Sequence, residues 1–159
     1  MTEIKPGAGE FNVTGSVGDV VITLYHEELL DVSRRLIEEA QDEYQLAVVM
    51  AQAACEVFTE QIISALIDRV EPESLRTWIH ERVTRPNDLS ESRVQELYLG
   101  LTGHKIDTGQ GLWQEYVTHT KRRHRVVHRG VKVSKDEARH SHDTARKVID
   151  HLRAAHLRE

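Results

Sequence analysis

The sequence predicts an all-α fold of about five to six helices, preceded by a short N-terminal β-hairpin. Apolar residues recur with helical periodicity through most of the chain after residue 26, and only three prolines occur in 159 residues. Charged residues make up 30% of the chain and aromatic residues 5%. Few helix breakers and many charges favour amphipathic helices that bury one face.

Residues 1–25 are predicted to form an N-terminal arm and residues 26–159 the helical domain. Apolar and polar residues alternate toward the end of the arm, over residues 20–25, after a glycine-containing turn at 15–18. This pattern favours a β-hairpin, which needs a packing partner because an isolated hairpin is marginally stable. A dispensable arm is an equally fair interpretation.

The first helix is predicted to begin near residue 27. The second is predicted to cover about residues 42–70. The first has one apolar stripe, whereas the second is apolar over most of its circumference and should be the central helix. Glu56 is the one carboxylate within that apolar run. Because a buried acid is costly without a partner, Glu56 is predicted to hold Arg123 or His124, or else to extend to water.

Four further helices are expected to complete the bundle. The third, over about residues 75–85, should turn a set of apolar side chains inward: Leu75, Trp78, Ile79 and Val83. Ser90 is interpreted as the N-cap of the fourth helix. Gly130 should end a fifth helix over about residues 112–129. Ser134 and Glu137 have the spacing of a capping box that opens the sixth.

The single cysteine, Cys55, cannot form an internal disulfide, which favours a reducing compartment. No secretory signal is apparent, and no apolar stretch is expected to reach the roughly 18 residues that span a bilayer. We therefore expect a single-domain cytoplasmic protein that does not enter a membrane.

A basic segment, residues 116–135, contains no acidic residue in a chain whose net charge is −5. Its seven cations are Lys121, Arg122, Arg123, Arg125, Arg129, Lys132 and Lys135. The rest of the chain must therefore be more acidic still. A cationic segment on an acidic protein is typical of a surface that binds phosphate.

A helical wheel predicts which side of the fifth helix is buried. The predicted buried side comprises Trp113, Tyr116, Val117, Thr120, His124 and Val127. Arg122 and Arg129 are predicted to lie opposite the buried side, and Arg125 well away from it. Arg123 and His128 are predicted to border the buried side, one on each edge, as a half-buried pair.

Arg123, four intervening residues and His128, followed by Arg129 and Gly130, resemble the signature of the HEPN superfamily (higher eukaryotes and prokaryotes nucleotide-binding domains). The resemblance covers the second half of the chain by motif and the helical remainder by pattern. It implies a HEPN-like helical bundle, commonly dimeric, and in many members a metal-independent endoribonuclease of toxin–antitoxin or antiviral systems. Family members often have Asn after the motif Arg, where this chain has His124. A subset of the family has a tyrosine two residues after the motif His, and adenylylation of that tyrosine controls activity. This chain has Gly130 at that position.

The resemblance implies cleavage of RNA by transesterification, without a metal or cofactor. His128 would act as base or acid, with His124 a further catalytic candidate, and Arg123 would stabilise the charge of the phosphorane. Backbone phosphates would be held by Arg122, Arg125 and Arg129. A homodimer would supply a second His128, DNA would be inert, and an antitoxin or defence-system protein is a possible partner.

Helix geometry places Arg123 and His128 about 140° apart. The two side chains converge only if the long arginine wraps round the helix, the helix unwinds toward Gly130, or a partner subunit supplies one of them. The sequence leaves these three solutions open.

Two other functions are compatible with the same residues. His124 and His128, four residues apart, with His140, His142 and Asp143 downstream, could ligate a metal, although the nearby cations disfavour it. A dimer that binds RNA or protein without cleavage is the second alternative. A solvated basic helix end without function is the simplest interpretation of the segment.

Overall fold

A computed structural model describes residues 25–83 and 85–157, and these fold into six α-helices. The helices are α1 (Tyr25–Glu38), α2 (Tyr44–Ile67), α3 (Glu73–Arg82), α4 (Ser92–Thr102), α5 (Gly111–Arg129) and α6 (Lys135–His156). The prediction of an all-α fold is confirmed. The predicted N-terminal hairpin lies outside the described residues.

The centre of the bundle is α2, which packs against α1, α5 and α6. Apolar residues on several of its faces are fully buried, as its sequence predicts: Ala47, Val48, Ala51, Ala54, Cys55, Phe58, Ile62 and Ile63. Burial raises the pKa of the Cys55 thiol far above its ordinary value, and its Sγ lies 3.6 Å from the Ala145 carbonyl oxygen on α6. The thiol therefore behaves as a small core residue.

Of the described helices, α2 alone is long and apolar enough, by length and composition, to cross a membrane. The expectation that no apolar stretch reaches spanning length was therefore wrong. More than half of its apolar window, 56%, is buried inside the fold. The central helix of a bundle meets the same two criteria, so these features alone are weak evidence for a span.

The ends of α5 and α6 confirm two local predictions. Gly130 ends α5 in the left-handed conformation, with φ of 60°, which a residue without Cβ adopts at little cost. The Ser134 hydroxyl accepts a hydrogen bond from the Glu137 amide, and the Glu137 carboxylate accepts one from the Ser134 amide. This capping box fixes where α6 begins, and thus how α6 meets α5.

An ion-pair cluster joins α1 to α6. Glu27 accepts hydrogen bonds from Arg146 at 2.9 Å and from Arg153 at 2.7 Å. Partial burial raises the pKa of Glu27, but the bond from Arg153 and the charge of Arg146 outweigh it, so the net pKa is lowered. The cluster holds α6 in place against α1 and α2.

The prediction for α3 was wrong at two positions. Leu75 and Trp78 are exposed rather than buried, with Trp78 52% accessible and covered on one side by the Arg82 guanidinium. Among the described helices α3 packs only against α2, so no second helix covers its apolar side chains.

Candidate functional site

The buried side of α5 consists of Tyr116, His119 and Arg122. The observed buried side is rotated about the axis of α5 by roughly 100° from the predicted side, which is the angle between consecutive residues of a helix. The predictions that His124 and Val127 are buried were therefore wrong: both are exposed. The predicted buried side omits His119 and Arg122, whereas both side chains are buried in the fold.

Arg122 is only 8% exposed and lies between α5 and α6. Its Nη1 donates a hydrogen bond to Ser141 Oγ at 2.7 Å, and its Nε lies 3.9 Å from Glu137 Oε1. Burial lowers the pKa of Arg122, Glu137 partly offsets this, and the charge of Arg125 adds to it. The placement of Arg122 opposite the buried side was wrong, and its geometry fits a structural contact better than a phosphate contact.

Replacing Arg122 by methionine is expected to lower the free energy of unfolding by about 1–3 kcal/mol, because the bond to Ser141 is lost within the interface. Urea denaturation measures this change. Arg125→Met, at an exposed position on the same helix, should change stability by less than about 0.5 kcal/mol. Equal effects of the two substitutions would show that the buried contact does not stabilise the fold.

A recess of about 240 Å³ opens where the second half of α5 faces α2 and the connection before α4. It is lined by Gln52, Glu56, Asp88, Ser90, Thr120, Lys121, Arg123 and His124. Acidic side chains come from α2 and the connection, and basic ones from α5. The recess therefore brings together groups of opposite charge from three separate parts of the chain.

Hydrogen bonds fix the acidic wall of the recess. Asp88 Oδ1 accepts bonds from the Ser90 amide at 2.8 Å, the Ser90 hydroxyl at 2.7 Å and the Tyr116 hydroxyl at 3.1 Å. Ser90 thus closes a turn with Asp88 rather than capping α4, whose N-cap is Glu91; the predicted cap was wrong. Gln52 Nε2 donates to Glu56 Oε1 at 3.0 Å and contacts the Tyr116 oxygen at 3.5 Å.

Two polar atoms of residues that line the recess have no hydrogen-bond partner among the described residues. They are Oε1 of Gln52, a residue only 1% exposed, and Nε of the half-buried Arg123. Buried polar groups are seldom left unpaired because desolvation is costly. An unpaired acceptor and an unpaired donor, both shielded from solvent, therefore belong to residues that line the same recess.

His124 connects this recess to His128. It lines the recess, and its ring centroid lies 4.4 Å from that of His128, with the planes tilted by 44°. Helix α5 is continuous through Arg129, so the proposed unwinding toward Gly130 does not occur. The prediction that His128 is half-buried was also wrong: it is exposed, whereas Arg123 is half-buried as predicted.

The remaining cations of the basic segment are at the surface. Lys121, Arg125, Arg129, Lys132 and Lys135 are all exposed. Glu56, the predicted supporting acid, faces the recess and bonds to Gln52; no bond joins it to Arg123 or His124 among the described residues. The segment thus presents a positive surface next to a recess of mixed charge.

The described residues contain no group of three or more His, Cys, Asp and Glu side chains placed to hold a metal ion. His142, one of the downstream candidates, lies 3.2 Å from Ser33 Oγ on α1. Burial lowers its pKa, with Asp143 opposing the shift and Arg146 adding to it.

Sequence reasoning missed Gln52, Asp88 and His119. His119 was given no role from the sequence but is fully buried, one helical turn from Tyr116, and that spacing was the available signal. Asp88 and Ser90 have the spacing of an Asx-turn, which was also readable. No local pattern marks Gln52, because its role depends on what α5 brings opposite it.

Fold and site together define an all-α protein with a mixed-charge recess beside a basic helix end. No protein-family model, curated protein or solved structure matches the chain. The resemblance to the HEPN superfamily therefore rests on the Arg123–His128 motif itself.

Proposed function

We propose that this protein is a metal-independent endoribonuclease that acts by transesterification. The observation that carries the proposal is the position of His124, which lines the same recess as Arg123 and whose ring centroid lies 4.4 Å from that of His128. The two motif residues, about 140° apart on the helix, thereby border one continuous surface. A phosphate bound there can contact a guanidinium and lie near an imidazole.

The reaction needs a proton acceptor, a proton donor and stabilisation of negative charge. The ribose 2′-hydroxyl attacks the adjacent phosphorus, its proton passes to one imidazole, and the bond to the 5′-oxygen of the next nucleotide breaks. That oxygen receives a proton, leaving a 2′,3′-cyclic phosphate and a 5′-hydroxyl. His128 and His124 are proposed for the two proton transfers, and Arg123 for the charge on the phosphorane.

Exposed Arg125 and Arg129 are proposed to bind the flanking RNA backbone. Contacts of this kind release counterions, so binding should weaken steeply as salt rises. Arg122 is not proposed for this role because its guanidinium bonds to Ser141 between α5 and α6.

A homodimer is proposed as the active form, as the HEPN resemblance implies. Val127 and Val131, at and just beyond the C-terminal end of α5, are exposed by 47% and 37%, and a second subunit would cover these apolar side chains. Two-fold symmetry would bring the His128 of each subunit into one groove. A cytoplasmic toxin or phage-defence role, held in check by an antitoxin or other partner protein, is proposed from the resemblance alone.

Incubating the purified protein with single-stranded and structured RNA in excess chelator tests this proposal. We expect cleavage products that end in a 2′,3′-cyclic phosphate and a 5′-hydroxyl, with no cleavage of DNA of the same sequence. Activity that appears only when zinc is added back would instead support a metal site at His124 and His128.

A second candidate function is binding of RNA or protein without cleavage. Glu56 and Asp88 favour it, because two carboxylates in the recess oppose the approach of a phosphate to Arg123. Retention of RNA in a filter-binding assay with no product after prolonged incubation would support this function and reject the nuclease.

A further inference from the structure

The recess that contains Arg123 presents hydrogen-bond acceptors on one wall and donors on the other. A phosphate needs only donors, so the acidic wall calls for a different chemical group. We infer that the recess binds a single guanine base of the RNA, next to the phosphate that is cut. This inference rests on the proposed ribonuclease function and specifies its substrate.

The acceptors are the carboxylate and amide oxygens that take no part in the hydrogen bonds within the acidic wall. Glu56 uses Oε1 for Gln52, and Asp88 uses Oδ1 for Ser90 and Tyr116. Their second carboxylate oxygens make no hydrogen bond among the described residues. Gln52 Oε1 is likewise an acceptor without a partner. The acidic wall can therefore accept several hydrogen bonds from one ligand.

The opposite wall supplies donors from α5. Lys121 carries them, and Arg123, whose terminal nitrogens are proposed for the phosphate, adds an Nε that has no partner among the described residues. Lysine and arginine commonly donate to the O6 and N7 acceptors of guanine. A divalent cation would satisfy the carboxylates but would be repelled by these two side chains.

Guanine matches this arrangement better than the other bases do. Its Watson–Crick edge presents N1–H and N2–H₂ side by side as donors to a carboxylate, while O6 and N7 accept from the basic wall. Adenine and cytosine each offer a single amino group, and uracil a single N–H between two carbonyls.

The size of the recess agrees with one base. Its volume of about 240 Å³ falls below the roughly 300–1,000 Å³ of pockets that hold drug-sized molecules. The acidic wall is also preorganised, because Tyr116, fully buried, fixes Asp88 through its hydroxyl. Acceptors that are already ordered lose less conformational entropy on binding a ligand than mobile acceptors do.

Titration of the full chain with guanosine, adenosine, cytidine and uridine 3′-monophosphates, followed by calorimetry or NMR, tests the inference. We expect guanosine 3′-monophosphate to bind at least about tenfold more tightly than the others. Inosine 3′-monophosphate, which lacks the N2 amino group, should bind roughly tenfold more weakly than guanosine 3′-monophosphate.

The decisive variant is Glu56→Gln, which keeps an oxygen to accept from Gln52 but replaces the other acceptor with a donor. It should lose the guanosine preference and move toward adenosine, since glutamine pairs with adenine. Glu60→Gln, one turn further along α2 and outside the recess, is the matched control and should retain the preference. Thermal unfolding of both variants checks that the fold is intact.

Equal binding of all four nucleotides, no binding, or a guanosine preference that survives Glu56→Gln would each overturn the guanine site. Cleavage is scored separately. Guanosine-selective binding without cleavage would reject the nuclease and retain the base site. Cleavage with no base preference in binding would retain the nuclease and reject the base site.

Discussion

Replacing His128 by alanine is expected to lower the rate of RNA cleavage in chelator by about 100-fold or more. General acid–base catalysis by a positioned side chain contributes about 10²–10⁴-fold, and His128 is the imidazole of the motif. Because the side chain is exposed, the variant should remain as stable as the parent protein within about 0.5 kcal/mol. Initial rates on a labelled RNA, with thermal unfolding in parallel, measure both quantities.

His104→Ala provides the matched control, since His104 is an exposed histidine on the connection between α4 and α5. It should cleave at the full rate. The cleavage rate of Arg123→Met should also fall by about 100-fold or more. Arg123→Lys should recover only part of that rate, because an ammonium group lacks the planar fork of donors that a guanidinium has. A His128→Ala protein that cleaves at the parent rate would rule out the catalytic assignment.

Replacing His119 by methionine is expected to make the protein much less sensitive to acid. The imidazole has 0% exposure, and neither ring nitrogen has a hydrogen-bond partner among the described residues. Burial, with the charges of Arg122, His140 and Arg123 adding to it, lowers the pKa of His119 to about 3. The ring is therefore neutral in the folded protein at ordinary pH.

The direction of the effect follows from the two protonation equilibria. An unfolded chain binds a proton on this histidine near pH 6.5, whereas the folded chain does so only near pH 3. The stability contributed by the neutral ring is thus present above about pH 6.5 and is lost as pH falls toward 3, at up to about 1.4 kcal/mol per pH unit.

Urea denaturation at pH 7.5 and 5.0 measures this loss. Between these two values the parent should lose about 2 kcal/mol more stability than His119→Met. His104→Gln should lose as much as the parent, because His104 is exposed in the fold. Half-buried His142 and His156, whose pKa values are also lowered by burial, leave some acid sensitivity in every variant. Identical losses in the parent and His119→Met would contradict the burial argument.

Local signals predicted most of the secondary structure. The capping box of Ser134 and Glu137 and the C-terminal Gly130 placed the ends of two helices, and the apolar run of α2 identified the central helix. The rotation of α5 about its axis was predicted wrongly. A helical wheel ranks residues by polarity, and it could not anticipate that Arg122 would bond to Ser141.

The sequence by itself determined the all-α fold, the order of the helices and the position of the basic segment, because periodicity, caps and charge are local properties of the chain. Only the tertiary structure decided which groups face Arg123. The Tyr116–Asp88 bond joins residues 28 apart and the Gln52–Tyr116 contact residues 64 apart. Such pairings depend on how α2, α5 and the connection before α4 pack together, and packing is a property of the whole core.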